Sequence, residues 1–188
     1  MTKDHGRHFF CAILVLCVPF CGLTLPAVVS GAGATIAFFA SSGNSGYCNM
    51  IAFPACTSFI ISAGAVFDAD LGGLGFCVNP TSCAQNKQTY ASCTPQDVAW
   101  AYTTSADQEA PYSNTASFLS LLAPSHNAHT TAMGGGYTPT SGGTSAASPH
   151  AAGAAAVLQS AATALLGSPL SPANVGSILA SSGDHLRR

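Results

Sequence analysis

Residues 142–153 read Gly142-Gly143-Thr144-Ser145-Ala146-Ala147-Ser148-Pro149-His150-Ala151-Ala152-Gly153. Two glycines and a run of small side chains deliver one serine, Ser145, to the start of an Ala-rich segment that predicts a helix. The first N–H groups of a helix have no partner within it, and the helix dipole is positive at that end. An anion developing beside Ser145 would be stabilised by those groups. Small neighbours let the backbone of a bound chain come close. The chemistry that suits this arrangement is attack by a serine hydroxyl on a carbonyl carbon, with the oxyanion held by N–H donors. Taken alone, the same features also fit an ordinary Gly-Ser loop ahead of a helix. Pro149 stands early in the expected helix, against the usual rule for proline.

The G-x-S-x-G nucleophile elbow needs a glycine where Ala147 stands, so that template fails. The run Gly143 to Gly153 instead closely resembles the serine motif of subtilisin-like peptidases, G-T-S-x-A-S-P-H-x-A-G, with Pro149 as part of the match. Other segments resemble the same family in the same order. Phe38-Phe39-Ala40-Ser41-Ser42-Gly43-Asn44 is similar to the strand and loop that present the oxyanion-hole asparagine. Phe53-Pro54-Ala55, Ile60 to Ala65, Tyr112-Ser113-Asn114 and Leu122-Ala123-Pro124 resemble the loop, strand, turn and strand end that follow. Gly75 to Tyr102 matches nothing in the family closely and reads as an insertion. The resemblance covers most of the chain and the C-terminal half of a full peptidase domain. It implies a serine endopeptidase working through an acyl-enzyme on an extended peptide or protein substrate. Ser145 would be the nucleophile and Asn44 an oxyanion-hole donor, with Ser41, Ser42 and Gly43 lying along the bound substrate. No cofactor and no metal site are expected.

A serine nucleophile needs a general base and a group that orients it. In the family that the chain resembles, a D-[ST]-G-type and an H-G-[TS]-type motif supply them ahead of the oxyanion asparagine. Before Asn44 the chain offers Asp4, His5 and His8. The run Asp4-His5-Gly6 contains His-Gly, but Arg7 follows and the residues lie side by side, so the match reads as coincidence. His150 stands within the serine motif, where a structural role is expected. His126 and His129 read as loop histidines rather than as partners of Ser145 or of a metal. Asp68 and Asp70 read as turn residues after a strand. The expectation is a site without its base and without measurable turnover, whose missing N-terminal half belongs to a longer chain or to a partner. The alternative is a non-catalytic pseudo-protease that grips extended peptides by strand addition.

Elements able to position Ser145 follow from pattern. Ala34 to Ala40 and Thr57 to Val66 are apolar runs almost without interruption, which suits parallel strands covered on both faces. Ser117 to Leu122 predicts a third strand, stopped by Pro124. Leu71 to Asp97 is loop-rich, and residues 134–143 predict a Gly-rich loop. A helix is expected over Thr144 to Leu166, closed by Gly167, and another from Ser171-Pro172 to about Gly183. Residues 25–33 predict a short helix. The fold class is therefore α/β, a subtilisin-like parallel sheet flanked by helices and truncated at its N-terminal half, leaving an apolar edge at Ala34 to Ala40.

Composition narrows the partners. Apolar residues make up 48% of the 188 and charged residues 6%, which excludes a disordered tail. The net charge is -2, and Lys87 is the one Lys or Arg between residues 8 and 186, so a phosphate-binding surface cannot be built. Residues 1–24 combine Lys3 and Arg7 with an apolar run from Phe9 to Leu23, the layout of a secretory signal. That run is too short for a stable membrane span. Residues 25–183 form the partial peptidase domain and 184–188 a tail. The five cysteines from Cys48 to Cys93 lie in loop-like sequence, suit disulfides of an oxidising compartment, and leave one over. The chain is expected to be secreted.

Overall fold

The computed structural model describes residues 36–183 and the backbone of a two-residue strand, Leu14–Val15. The expectations for the rest of residues 1–35 and for the tail after residue 183 lie outside the described residues.

Four parallel strands form the central sheet. They are β1 (Leu14–Val15), β2 (Phe38–Ser41), β3 (Ile60–Val66) and, later in the chain, β7 (Leu121–Pro124), in the order β1-β2-β3-β7. Phe39 pairs with Ile61 and Ser41 with Ala63, while Ala63 pairs with Leu121 on the other side. All seven residues of β3 are buried, which is why its sequence shows no polar alternation. The expected apolar edge is paired with β1 at Phe38 and Phe39.

Two helices follow β7, α1 (Thr144–Leu166) and α2 (Pro172–Ser182). α1 packs on β2, β3 and β7. Ala147, Ala151, Ala152 and Ala155 form its inner face, and their small side chains meet Phe39, Ile61, Ala63 and Ala123 from the sheet. Val175 brings α2 into the same cluster. On the other side of the sheet Phe38, Ala40 and Ile60 pack with Ile51 and Ala55. Gly167 ends α1 in the left-handed region, at φ 75°, and its N–H reaches the carbonyl of Thr163. Ser171 caps α2 by accepting from the N–H of Asn174 at 3.3 Å, with Pro172 next.

Two expectations need correction and one needs extension. The strand expected at Ser117 to Leu122 is β7 at Leu121–Pro124. Ser120 spends its hydroxyl on Ser62, accepting from the Ser62 N–H at 3.1 Å, and Leu119 closes a turn onto Ala116. Leu71 to Asp97 is loop-rich as expected, but it also carries strands. β4 (Leu74–Val78), β5 (Lys87–Thr89) and β6 (Asp97–Ala101) form an antiparallel sheet in the order β4-β6-β5. Disulfides Cys48–Cys83 and Cys77–Cys93 fasten it, and among the described residues Cys56 is the free thiol, exposed. The Gly-rich stretch is largely a hairpin of β8 (Ala128–Thr131) and β9 (Tyr137–Ser141), turning at Gly134 to Gly136. Among the described residues no helix is long and apolar enough to cross a membrane, and no group of three or more His, Cys, Asp or Glu could hold a metal ion.

The antiparallel sheet closes a further cluster in which Val78, Ala99 and Ala101 pack on Ala65, Phe67 and Tyr112. His126 lies at its margin, with its ring edge-on to Phe76 at 5.2 Å and to Phe67 at 5.8 Å. Its Nδ1 is buried without a hydrogen-bond partner. Burial lowers the His126 pKa, and the charge of Asp68 offsets this only in part. The folded chain thus favours neutral His126 more than the unfolded chain does. Its contribution to stability is complete above the unfolded value of about 6.5 and is lost as pH falls through the folded pKa. The urea midpoint should drop between about pH 7.5 and about pH 5. His126→Phe, which keeps the ring contacts, should flatten that slope, and an unchanged slope would contradict the assignment.

Candidate active site

The site forms at the carboxyl ends of the parallel strands, where ligands bind in open α/β sheets. The segment after β2 carries Ser42 to Tyr47, and α1 begins alongside it. Gly143 precedes α1 with φ 77°, a conformation that L side chains rarely adopt. A Cβ there would lie 3.1 Å from Asn44 Nδ2, so a side chain at this position is opposed by both backbone and neighbour. Ser145 is the second residue of α1 and is exposed.

Thr144 is fully buried and joins the two segments. Its N–H donates to Asn44 Oδ1 at 2.8 Å and its hydroxyl to the same oxygen at 2.9 Å. Thr144 Oγ1 in turn accepts from the N–H of Gly43 at 3.2 Å. These bonds fix which end of the Asn44 carboxamide is which. The oxygen faces Thr144, and Nδ2, which can only donate, lies beside Gly143. Ser145 follows Thr144 directly, so the free carboxamide N–H groups and the serine are held in one small region.

The turn at residues 112–114 supports both segments. Asn114, 3% exposed, accepts from the N–H groups of Ser45 at 2.9 Å and Tyr47 at 3.1 Å through Oδ1. Its own N–H donates to the carbonyl of Gly43. Ser113 Oγ accepts from the N–H of Ala65 at 2.9 Å, tying the turn to β3. The Tyr112 hydroxyl lies 2.8 Å from Ser125 Oγ, which donates to the carbonyl of Val66. Burial pushes the Tyr112 phenol up from its usual value, and the bond with Ser125 and the Gly143 backbone pull it partly back. Tyr112 therefore stays protonated at neutral pH and keeps its donor.

The expected substrate-binding residues lie on this frame. Ser41 ends β2, and Ser42 is fully buried with its N–H on the carbonyl of Ala63 and its carbonyl accepting from Ala52. Gly43 is pinned between Thr144 and Asn114. The histidines do not join them. His150 Nδ1 is 2.9 Å from the carbonyl of Ala146, one turn back in α1. His129 packs on Tyr137 within the hairpin, and His126 on Phe67 and Phe76. Among the described residues no histidine hydrogen-bonds Ser145. A cavity of about 380 Å³ lies at the other end of the strands, between the start of β3 and α2, and touches none of these residues. Sequence reasoning missed the roles of Thr144 and of the Tyr112 hydroxyl. The available signals were a β-branched hydroxyl residue directly before the serine and a tyrosine in a turn of otherwise small polar residues.

Comparison with known proteins places the fold. The subtilase family model (peptidase S8) matches residues 24–184. No curated protein matches the chain. Among solved structures, the prenylagaramide maturation protease PagA is 22% identical with a TM-score of 0.55, the match covering 82% of this chain and 42% of that one. The self-cleaved protease domain of PatA is 22% identical with a TM-score of 0.53, covering 80% and 43%. A cold adapted subtilisin-like serine proteinase is 23% identical with a TM-score of 0.51, covering 79% and 38%. These likenesses show the fold, and the chain spans about two-fifths of the length of each of these structures. With a family model matched over most of its length and a parallel sheet flanked by helices in the family's manner, the chain belongs to the subtilase family of serine peptidases.

Proposed function

We propose that this chain is the nucleophile-bearing part of a serine endopeptidase that cleaves extended peptide or protein chains through an acyl-enzyme. The observation that carries the reading is the clamp between Thr144 and Asn44, which keeps a carboxamide donor beside an exposed serine at a helix start. Ser145 Oγ attacks the scissile carbonyl carbon, and the oxyanion is held by the Ser145 N–H and by Asn44 Nδ2. Collapse of the tetrahedral intermediate expels the amine and leaves the acyl-serine, which water then hydrolyses. Ser41 and Gly43 run beside the bound chain, while Ser42, fully buried, does not reach it and instead holds the segment on Ala63 and Ala52.

The base that takes the Ser145 proton, and the carboxylate that orients it, lie on this reading outside the described residues, within a longer chain or a partner that supplies the N-terminal half. The chain by itself then has negligible turnover. The disulfides Cys48–Cys83 and Cys77–Cys93 favour an oxidising, extracellular setting. A peptide-binding pseudo-protease is the second reading, favoured by the lack of a histidine bonded to Ser145 among the described residues.

A fluorophosphonate probe, read by mass spectrometry with and without added imidazole as a diffusible base, separates these readings. The expected result is no stoichiometric adduct without imidazole and a Ser145 adduct with it, absent from Ser145→Ala. Asn44→Ala should slow that adduct about 10²–10³-fold. Stoichiometric labelling without imidazole would mean that the chain holds its own base. No adduct under either condition, from a chain that still binds peptide, would favour the second reading.

A further inference from the structure

The antiparallel sheet β4-β6-β5 lies outside the short motifs quoted above, and it meets the loop of Asn44 at three points. The N–H of Asn79, just after β4, donates to the carbonyl of Ser45 at 2.9 Å. Gly46, at φ 72°, is seated so closely that a Cβ would lie 2.9 Å from the carbonyl oxygen of Pro111, 3.2 Å from Val78 Cγ1 and 3.3 Å from Ser82 Cβ. The third point is covalent, the disulfide Cys48–Cys83. All three fall within four residues of Asn44.

The far side of these contacts is itself held. Asn79 Oδ1 accepts from the N–H and the hydroxyl of Thr81 at 2.9 and 2.8 Å. Lys87 donates to the carbonyls of Pro80 at 2.7 Å and Ser82 at 2.6 Å. The one cation between residues 8 and 186 is thus used to hold the turn that carries Cys83. The sheet is anchored through Phe76, whose ring lies edge-on to Tyr112 at 4.8 Å and 6.0 Å from that of Phe67.

We propose that this antiparallel sheet positions Asn44, acting through the Cys48–Cys83 bridge, so that the oxyanion-hole loop keeps its geometry only while the bridge is closed. The inference rests on the reading of Asn44 as a donor to the oxyanion. Cys48 and Cys83 are both exposed, within reach of a dithiol reductant. Reduction breaks the one S–S bond and moves two electrons and two protons from the dithiol to the two cysteines, while the dithiol closes to its own disulfide. The loop then loses its covalent tether and is left with packing at Gly46 and with hydrogen bonds to Asn79, Asn114 and Thr144, each of which can open reversibly.

The test is hydrogen exchange and ¹⁵N-resolved NMR on the full chain, comparing wild type, the double variant Cys48→Ser/Cys83→Ser and, as control, Cys77→Ser/Cys93→Ser. Opening the first bridge should speed exchange across residues 43–49 at least tenfold and leave the inner face of α1 protected. It should also move the Asn44 side-chain NH₂ signals toward those of a free carboxamide. The control should do neither. A bridge that only adds global stability would leave the native Asn44 signals in place, and that result, or unchanged exchange at residues 43–49, would overturn the proposal. Should the double variant fail to fold, titrating the Cys77→Ser/Cys93→Ser chain with a dithiol gives the same comparison. Neither readout depends on chemistry at Ser145. If Asn44→Ala leaves probe labelling of Ser145 unchanged, the oxyanion reading of Asn44 fails while the exchange data still decide whether the sheet holds the loop.

Discussion

Two segments 100 residues apart in sequence have to meet within hydrogen-bond distance for this chain to have a site at all, and Thr144 is where they do. Its N–H and hydroxyl both end on Asn44 Oδ1, and its oxygen takes the N–H of Gly43. Thr144 is wholly buried, so each of these groups would be costly to leave unpaired. The arrangement admits only one orientation of the Asn44 carboxamide, because an NH₂ group cannot accept from the Thr144 N–H. The direction in which Nδ2 can donate is thereby set by groups away from the reacting serine. That separation of tasks lets Asn44 stay exposed and open to a ligand while its orientation is fixed from behind.

The rest of the described structure serves to bring that contact into register. Parallel pairing of β2 with β3 and of β3 with β7 aligns the strand ends from which the Asn44 loop and the turn at Ser125 emerge. The alanine face of α1 lets the helix lie close on the sheet, with Ser145 in its first turn. Asn114 holds the Asn44 loop, and Tyr112, two residues earlier, ties the same turn to Ser125. The antiparallel sheet meets the same loop through the disulfide Cys48–Cys83.

Much of this was legible in the sequence, for identifiable reasons. The α1 boundaries could be read because Gly143 and Gly167 flank an Ala-rich run, and α2 because Ser171-Pro172 is a local start signal. β3 could be read because burial on both faces leaves an unbroken apolar run. The β7 strand was placed too early, since Phe118 and Leu119 are apolar but belong to a turn whose register Ser120 and Ser62 set. β4 to β6 escaped notice because their strands are short, carry Gly75 and Cys77, and gain their order from disulfides and from contacts distant in sequence. The roles of Thr144 and of the Tyr112 hydroxyl were hidden for the same reason. Each depends on a partner that only the folded chain brings near.

The most direct test of this account is a double-mutant cycle between Asn44→Ala and Thr144→Val, measured as the free energy of unfolding in urea. Valine keeps the shape and burial of threonine and removes the hydroxyl that ends on Asn44. If the contact joins the two segments, the paired substitutions should be non-additive by about 0.5–1.5 kcal/mol, the net worth of a buried hydrogen bond. Additivity to within about 0.3 kcal/mol would mean that the two side chains do not act together, and the site would have to be held by something else.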